Sequence, residues 1–406
     1  MKNDCLTERL HQLGNHLAGG SSNKPQPASN ARYQKLADVV GGQLVNHPAG
    51  CYCLVRQVYP FGFSLGNESL DKVKPSALVA SSSFSATERE GEVPLGSLLF
   101  FDTETTGLGG AGAVPFLVGC GSLTHQGFEV RQYLLPDYSD EAAMLEHVLA
   151  EFDSQTTLVS YNGIAFDMNL LRDRMIVNRV ARELPQADHF DLLHSARRLW
   201  RRRLSDCRLT NIERELFRFY RDDDIPGHLI PSVYFDWLQT DTLSFMCSVL
   251  EHNRFDILSL YFLLLRVDEV FRSEGASLDT ADDLYSLSRV YGRRRRPDKV
   301  IGNFESLQQT ATYPLDTEVV FFHSLAFKRR GDWSRAVELW LSLTEQTGRE
   351  NYEACLELAK YYEHHAKDYQ RALDFAHRAG RIGTPSQRRR DNLKTRIGRL
   401  QRKLCR

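Results

Sequence analysis

No apolar run in the sequence approaches the ~20 residues that cross a hydrocarbon core as a helix. That excludes a helical membrane span, and no membrane partner is expected. The first residues, Met1-Lys2-Asn3-Asp4, lack the apolar stretch of a signal peptide, so the expected location is cytoplasmic. The eight cysteines are scattered from Cys5 to Cys405 without one C-x-x-C pair, which argues against a zinc site and against a disulfide framework. Net charge is nearly absent as well, at −1. What remains is an ordinary globular composition, 42% hydrophobic and 25% charged, in 406 residues, enough for two or three domains.

The near-zero charge hides an asymmetry. From residue 285 onward 25 Lys and Arg stand against 14 Asp and Glu; the remainder carries 26 against 38. An acidic body suits cations and a basic tail suits phosphate, although such a tail also reads as merely soluble.

Residues 1–92 read as an N-terminal extension with linker segments. Residues 20–31 (GSSNKPQPASNA) form a polar linker, CYCLVRQVYP at 51–60 reads as a strand, and residues 80–92 form a second, Ser- and Glu-rich connector. Residues 93–275 read as one α/β domain. LLFFD (98–102) is a buried strand ending abruptly at a charge, and PFLVGCGSL (115–123) and FEVRQYLL (128–135) continue an antiparallel meander. Ser139 is expected to cap a helix; TLVSYN (157–162) is the next strand, FDLLHSARRLW (190–200) runs from strand into helix, and a helix from about 250 to 272 closes the unit. Periodicity supports an α/β mixed sheet flanked by helices. Residues 283–406 read as an all-α helical-repeat domain. Pro297, Trp333 and Tyr369 recur at a spacing of 36, the last two within D-[WY]-x-R-A, and a basic helix follows from 386. The pattern resembles tetratricopeptide repeats, whose modules bind protein partners.

Three motifs carry the chemistry. In Phe101-Asp102-Thr103-Glu104-Thr105-Thr106-Gly107-Leu108, strand alternation puts Asp102 and Glu104 on one face. Two carboxylates that close repel unless a cation neutralises them, and hard oxygen ligands suit Mg²⁺ or Mn²⁺. In Tyr161-Asn162-Gly163-Ile164-Ala165-Phe166-Asp167, the Asp sits in the first turn of a helix, where the dipole favours its charge; alone it reads as a cap. His252-Asn253-Arg254-Phe255-Asp256 is expected to open an amphipathic helix with His252 and Asp256 on one face.

In order and spacing these motifs resemble the DEDD family of 3′–5′ exonucleases, which have the ribonuclease H-like fold, over roughly residues 95–272. The resemblance implies two divalent ions, Mg²⁺ or Mn²⁺, held by Asp102, Glu104, Asp167 and Asp256. Asp102 would bridge both ions, Glu104 and Asp256 would hold the ion that activates water, and Asp167 would support the other. His252 would act as general base or orient the water. That family usually has Tyr-x-x-x-Asp or His-x-x-x-x-Asp in its third motif; here a His stands at the tyrosine spacing. The implied substrate is a nucleic-acid 3′ end, with Thr105, Leu108, Asn162 and Phe166 near the terminal nucleotide.

Arg197, Arg198 and Arg201, with Arg202 and Arg203, form a basic cluster that would hold backbone phosphates or simply stay solvated. Arg293–Arg296 and Arg388–Arg390 are open to the same two readings. Nuclease core and helical tail together resemble the bacterial YprB-type ribonuclease H-like proteins, to which DLLHSARRLW and IERELFRFYRDDDIPG (212–227) add; Asp191 and Asp222–Asp224 are then secondary site residues. The competing reading is a catalytically silent nucleic-acid binder, or a tetratricopeptide adaptor, on the same fold.

Overall fold

The structure is a computed structural model that describes residues 30–72, 77–78, 93–107, 112–153, 157–181, 184, 188–310, 314–346, 348–383 and 386–405. Leu108 and most of the two expected linkers, 20–31 and 80–92, lie outside the described residues. The chain divides into two units, one up to Ser273 and one from Glu274 onward.

The first unit is built on a seven-stranded mixed sheet. After helix α1 (Asn30–Val40), β1 (Gln43–His47) and β2 (Gly50–Pro60) form a hairpin. The meander follows as β3 (Leu98–Thr105), β4 (Pro115–Thr124) and β5 (Gly127–Leu134). Helix α2 (Glu141–Asp153) leads to β6 (Thr157–Ser160), α3 (Asp167–Val177) to β7 (Asp188–Asp191), and α4 (Leu192–Trp200) follows. The sheet order is β1-β2-β5-β4-β3-β6-β7, with β3–β6 and β6–β7 parallel and the other pairs antiparallel. The N-terminal hairpin thus extends the sheet of the α/β unit.

β3 is an interior strand of this sheet, paired with β4 on one side and β6 on the other. Its first four residues, Leu98–Phe101, are at most 1% exposed, as a strand flanked on both edges and covered on both faces requires. Its second half, from Asp102, emerges from the core beside the C-terminal ends of the parallel strands β6 and β7. Ligand crevices of α/β sheets form at such ends.

Two boundaries differ from expectation. The cap before α2 is Asp137, whose carboxylate accepts from Ser139 N at 3.2 Å, and a single tight turn, Tyr138–Asp140, precedes the helix. The closing helix begins early: after α5 (Leu209–Ile212), a π-helical turn at Glu213–Phe217 and α6 (Ile230–Thr240), α7 runs from Met246 to Arg272. His252 and Asp256 therefore sit inside a long helix and do not open it.

The second unit is all-helical: α8 (Ala281–Arg293), α9 (Pro297–Thr310), α10 (Thr317–Arg330), α11 (Trp333–Thr344), α12 (Arg349–His364), α13 (Tyr369–Ile382) and α14 (Gln387–Leu404). The recurring D-[WY]-x-R-A segment has a local cause. Asp332 and Asp368 cap α11 and α13, accepting from Arg335 N at 3.1 Å and Arg371 N at 2.9 Å, while Ala336 and Ala372 are fully buried. Among the described residues no helix is long and apolar enough to cross a membrane.

Candidate metal centre

Asp102 pairs with a position of β4, between Val118 and Cys120, that has no side chain. Gly119 lies opposite it in β4, and a Cβ there would fall 2.2 Å from Asn253 Oδ1. The gap admits the buried Asn253 of α7, whose Nδ2 donates to Asp102 Oδ2 at 3.1 Å. Gln132 fixes the sense of that amide by donating from Nε2 to Asn253 Oδ1 at 2.9 Å. Two residues on, the β3–β4 register shifts between Glu104 and Thr105. Such a bulge re-aims the strand end at the place where Glu104 must leave the ladder.

α7 carries His252 and Asp256 one turn apart, with Nε2 3.6 Å from Asp256 Oδ2. The other ring nitrogen, Nδ1, is 2.8 Å from Asp224 Oδ1. One ligating atom each from Glu104, His252 and Asp256 lie within 4.8 Å of one another, a set that could hold a cation. Asp167 enters from the first turn of α3, where the Thr103 hydroxyl donates to its Oδ1. The turn before it is tight: a Cβ on Gly163 would lie 2.3 Å from Ser160 Oγ and 3.0 Å from Asp167 Oδ2.

The electrostatics follow from crowding acids away from bulk water. Burial holds Asp102 well above the usual carboxylate range, and repulsion from Asp256, Asp167 and Glu104 adds to it; the Asn253 hydrogen bond works the other way. Glu104 is pushed up to about 8 by burial and by Asp256 and Asp167, against the pull of His252 and Arg221. Burial raises Asp167 too, opposed by the Thr103 hydroxyl. Burial would lower His252, but the Asp224 hydrogen bond and the charges of Asp256 and Glu104 carry it to about 9. Without a cation the ring is thus charged at neutral pH, unlike an ordinary histidine, which titrates near ~6.5.

The buried Arg221 does the most to organise this end of α7. Its Nε and Nη2 fork onto Glu213 at 2.8 and 2.5 Å, Nη2 also donates to Asp256 Oδ1, and Nη1 lies 3.4 Å from Asp224 Oδ2. Glu213, also buried, accepts from the Ser259 hydroxyl at 2.5 Å. Both lie within IERELFRFYRDDDIPG, whose likeness to YprB-type proteins points to its acidic run, but no spacing singles out Arg221 or Glu213. Of the acidic run beside them, Asp224 reaches His252, while Asp222 and Asp223 are exposed.

The remaining candidates divide. Asp191 caps α4 at Leu193 N, 3.1 Å, and accepts from Asn162 N at 2.8 Å. Its charge also bears on Asp167, so it stands beside the centre. Asn162 has a left-handed backbone, φ 66°, at the turn into the Asp167 segment. Phe166 is exposed there (56%), as is Ile164 (45%), an apolar pair of which only Phe166 is expected from the motif. Thr105 Oγ1 donates to Gly107 O at 2.6 Å. Arg197, Arg198 and Arg201 are exposed along α4 and at its end; Arg197 acts on Tyr161 and Cys207, and Arg201 on Cys207. None of the three is among the groups that weigh most on Asp102, Glu104 or Asp167.

Residues 99–267, which contain all five central residues, match the family model described as RNase_H superfamily, so the first unit carries an RNase H-superfamily domain. That superfamily consists generally of nucleases that act on nucleic acid and typically use divalent metal ions. The chain is 34% identical over 359 residues to the uncharacterized protein YprB of Bacillus subtilis (strain 168), covering 87% of this chain and 86% of that one, and it belongs to the YprB family. Among solved structures it is similar to the family B DNA polymerase of the hyperthermophilic archaeon Pyrobaculum calidifontis, with 15% identity and a TM-score of 0.35. That match covers 77% of this chain and only 37% of the polymerase chain.

Proposed function

We propose that the protein is a 3′–5′ exonuclease that hydrolyses phosphodiester bonds of nucleic acid with two divalent metal ions, Mg²⁺ or Mn²⁺. The observation that carries this reading is the convergence of Asp102, Glu104, Asp167 and Asp256 on one partly dry site, where burial, joined at Asp102 and Glu104 by repulsion from the neighbouring acids, opposes the charge of Asp102, Glu104 and Asp167. The donor set fits: all oxygens but for one imidazole, the chemistry of hard cations. Bound there, two ions supply the positive charge that stabilises the attacking and leaving oxygens of an in-line displacement at phosphorus. Asp102 would serve both ions, Glu104 and Asp256 would hold one, and Asp167 would support the other.

The protein's own groups do the rest. Asp224 occupies Nδ1 of His252 and leaves Nε2 toward the carboxylates, where it can take a proton from the attacking water. Asp256 and Glu104 are two of the attractions that hold His252 charged; cations held there would weaken both and favour the neutral ring. Arg221 keeps Asp256 and Asp224 in place from behind. Phe166 and Ile164 offer an apolar platform for the terminal sugar or base, and Arg197, Arg198 and Arg201 a basic face for phosphates further along.

The test uses DNA and RNA labelled at the 5′ end and at the 3′ end, with Mg²⁺ and with Mn²⁺. Labelled mononucleotide released first from the 3′ end by the wild type, and none by D102A, is expected. Internal cuts would replace the exonuclease reading with an endonuclease one. Metal-independent cleavage, or activity retained by D102A, would overturn the proposal.

A further inference from the structure

The second unit contains a cavity of about 480 Å³ lined by Arg293, Arg295, Arg296 and Arg329, with Phe322 in its wall and Gly292 beside that ring. The arginines come from the end of α8, the turn into α9 and the end of α10. All four are exposed, and among the described residues none of them has an ion-pair partner. A basic residue at a helix end complements the dipole, but four unpaired guanidinium groups around one concavity repel one another. Phe322 is half-buried, held edge-on by Tyr285 at 5.5 Å, and a Cβ on Gly292 would lie 2.9 Å from its Cζ. The glycine is what leaves that ring its place in the wall.

We propose that this cavity binds single-stranded nucleic acid, with backbone phosphates on the arginines and an unstacked base against Phe322. Three arguments select that occupant. The charge calls for a polyanion. Guanidinium forks match phosphate oxygens in pairs. An aromatic wall within a cationic cavity serves a base whose face is free, which a duplex does not offer. The choice of ligand rests on the nuclease reading; the binding itself does not need catalysis. The site would hold the strand independently of the acidic centre, so that a long substrate is engaged by both units and a short one by the first alone.

The experiment measures fluorescence anisotropy of labelled oligothymidine and oligouridine of roughly 30 nucleotides on the full chain, in chelator so that nothing is cleaved. The triple variant R295Q/R296Q/R329Q is expected to bind at least ~10-fold more weakly at low salt, and its slope of log K against log salt should be shallower by about 2, at ~0.7 per phosphate contact. R329Q alone should lose about 0.7 of slope, which keeps the test open should the triple variant misfold. F322A should weaken binding while leaving the salt slope unchanged. Unchanged affinity and slope in the folded variants would overturn the proposal. So would loss of oligoglutamate binding with oligonucleotide binding retained, which would assign the cavity to an acidic protein. A chain that binds through the cavity yet cleaves no strand removes the nuclease reading and leaves this one standing.

Discussion

Glu363 in the second unit and the acids of the candidate metal centre in the first are both withdrawn from water, and they are treated in opposite ways. In the second unit Glu363 is completely buried, and α14 answers it with its own cations. Arg399 binds through Nε and Nη2 at 2.7 and 2.8 Å, Lys403 at 3.0 Å, and Arg396 closes the cage. Burial would raise this acid, but those three cations hold it down at about 2. In the first unit Asp102, Glu104, Asp167 and Asp256 share one site with Arg221 and His252 as the cations nearest them, and Asp102, Glu104 and Asp167 are all displaced upward. A carboxylate neutralised by its own chain is an anchor. Carboxylates left in mutual repulsion call for a charge from outside the chain. At Glu363 and at the metal centre the displacements have opposite signs. At Glu213 burial outweighs its Arg221 partner and raises the acid, so it is the partner, and not the sign alone, that marks an anchor.

The largest effect expected from this contrast is catalytic. H252A removes the proposed base without touching an acid, so hydrolysis should fall by ~10²–10⁴-fold while metal still raises the melting temperature. Loss of that metal response as well would make His252 a ligand. Next in size is E363Q, which leaves three cations facing an amide. Removing one partner of a buried ionic cluster costs about 3–5 kcal/mol, and chemical denaturation followed in the second unit should show it with metal-dependent hydrolysis of a short strand unchanged. A loss below ~1 kcal/mol, the worth of an exposed pair, would deny Glu363 its anchoring role.

R221M tests the boundary between the two kinds of carboxylate, because Arg221 neutralises Glu213 on one side and touches Asp256 on the other. It should destabilise the first unit by a similar ~3–5 kcal/mol, and R221M/E213Q should recover a large part of that, since the orphaned charge is then gone. Additive losses in the double variant would mean that Arg221 does not act through Glu213.

pH sharpens the contrast with the smallest signal. Glu104 has a folded-state pKa raised to about 8, so the folded state holds its proton where the unfolded chain does not. The metal-free protein should therefore lose first-unit stability as pH rises from the ordinary carboxylate range through about 8. Glu363 is depressed, so its contribution is present above the ordinary range and is lost as pH falls through about 2. Melting curves in chelator across that span, read separately for each unit, should slope in opposite senses; a common sense would contradict both assignments.

The order of strands and helices around β3 was legible because each element announces itself locally. An apolar run feeds Asp102, although the strand itself continues to Thr105; β4 and β5 are apolar runs joined by a short turn, and the segment after β6 carries its acid at the helix start. The three motifs could be collected because each Asp or Glu lies at the end of such an element or on one face of a helix. What stays hidden is the support that arrives from distant sequence. The glycine opposite Asp102, the Gln132–Asn253 relay and the Arg221–Glu213 pair have meaning only once β4, β5, α7 and the π-helical turn are packed together. The N-terminal hairpin was missed as part of the sheet for a related reason: β2 reads as a strand by itself, but its partner β5 lies beyond two other strands in sequence. In the second unit the recurring aspartates were visible as a spacing, and their work as caps required the helix starts.

The most direct test of the central claim is the melting temperature of the first unit, with and without millimolar Mn²⁺ near pH 8, in the wild type and in D102N. The account expects a clear metal-dependent rise in the wild type, because cations relieve the repulsion and bind the folded state alone. It expects D102N to be more stable than the wild type without metal and to rise much less with it. A wild type indifferent to Mn²⁺, or a D102N protein that gains as much as the wild type, would contradict the reading of these four carboxylates as a metal centre.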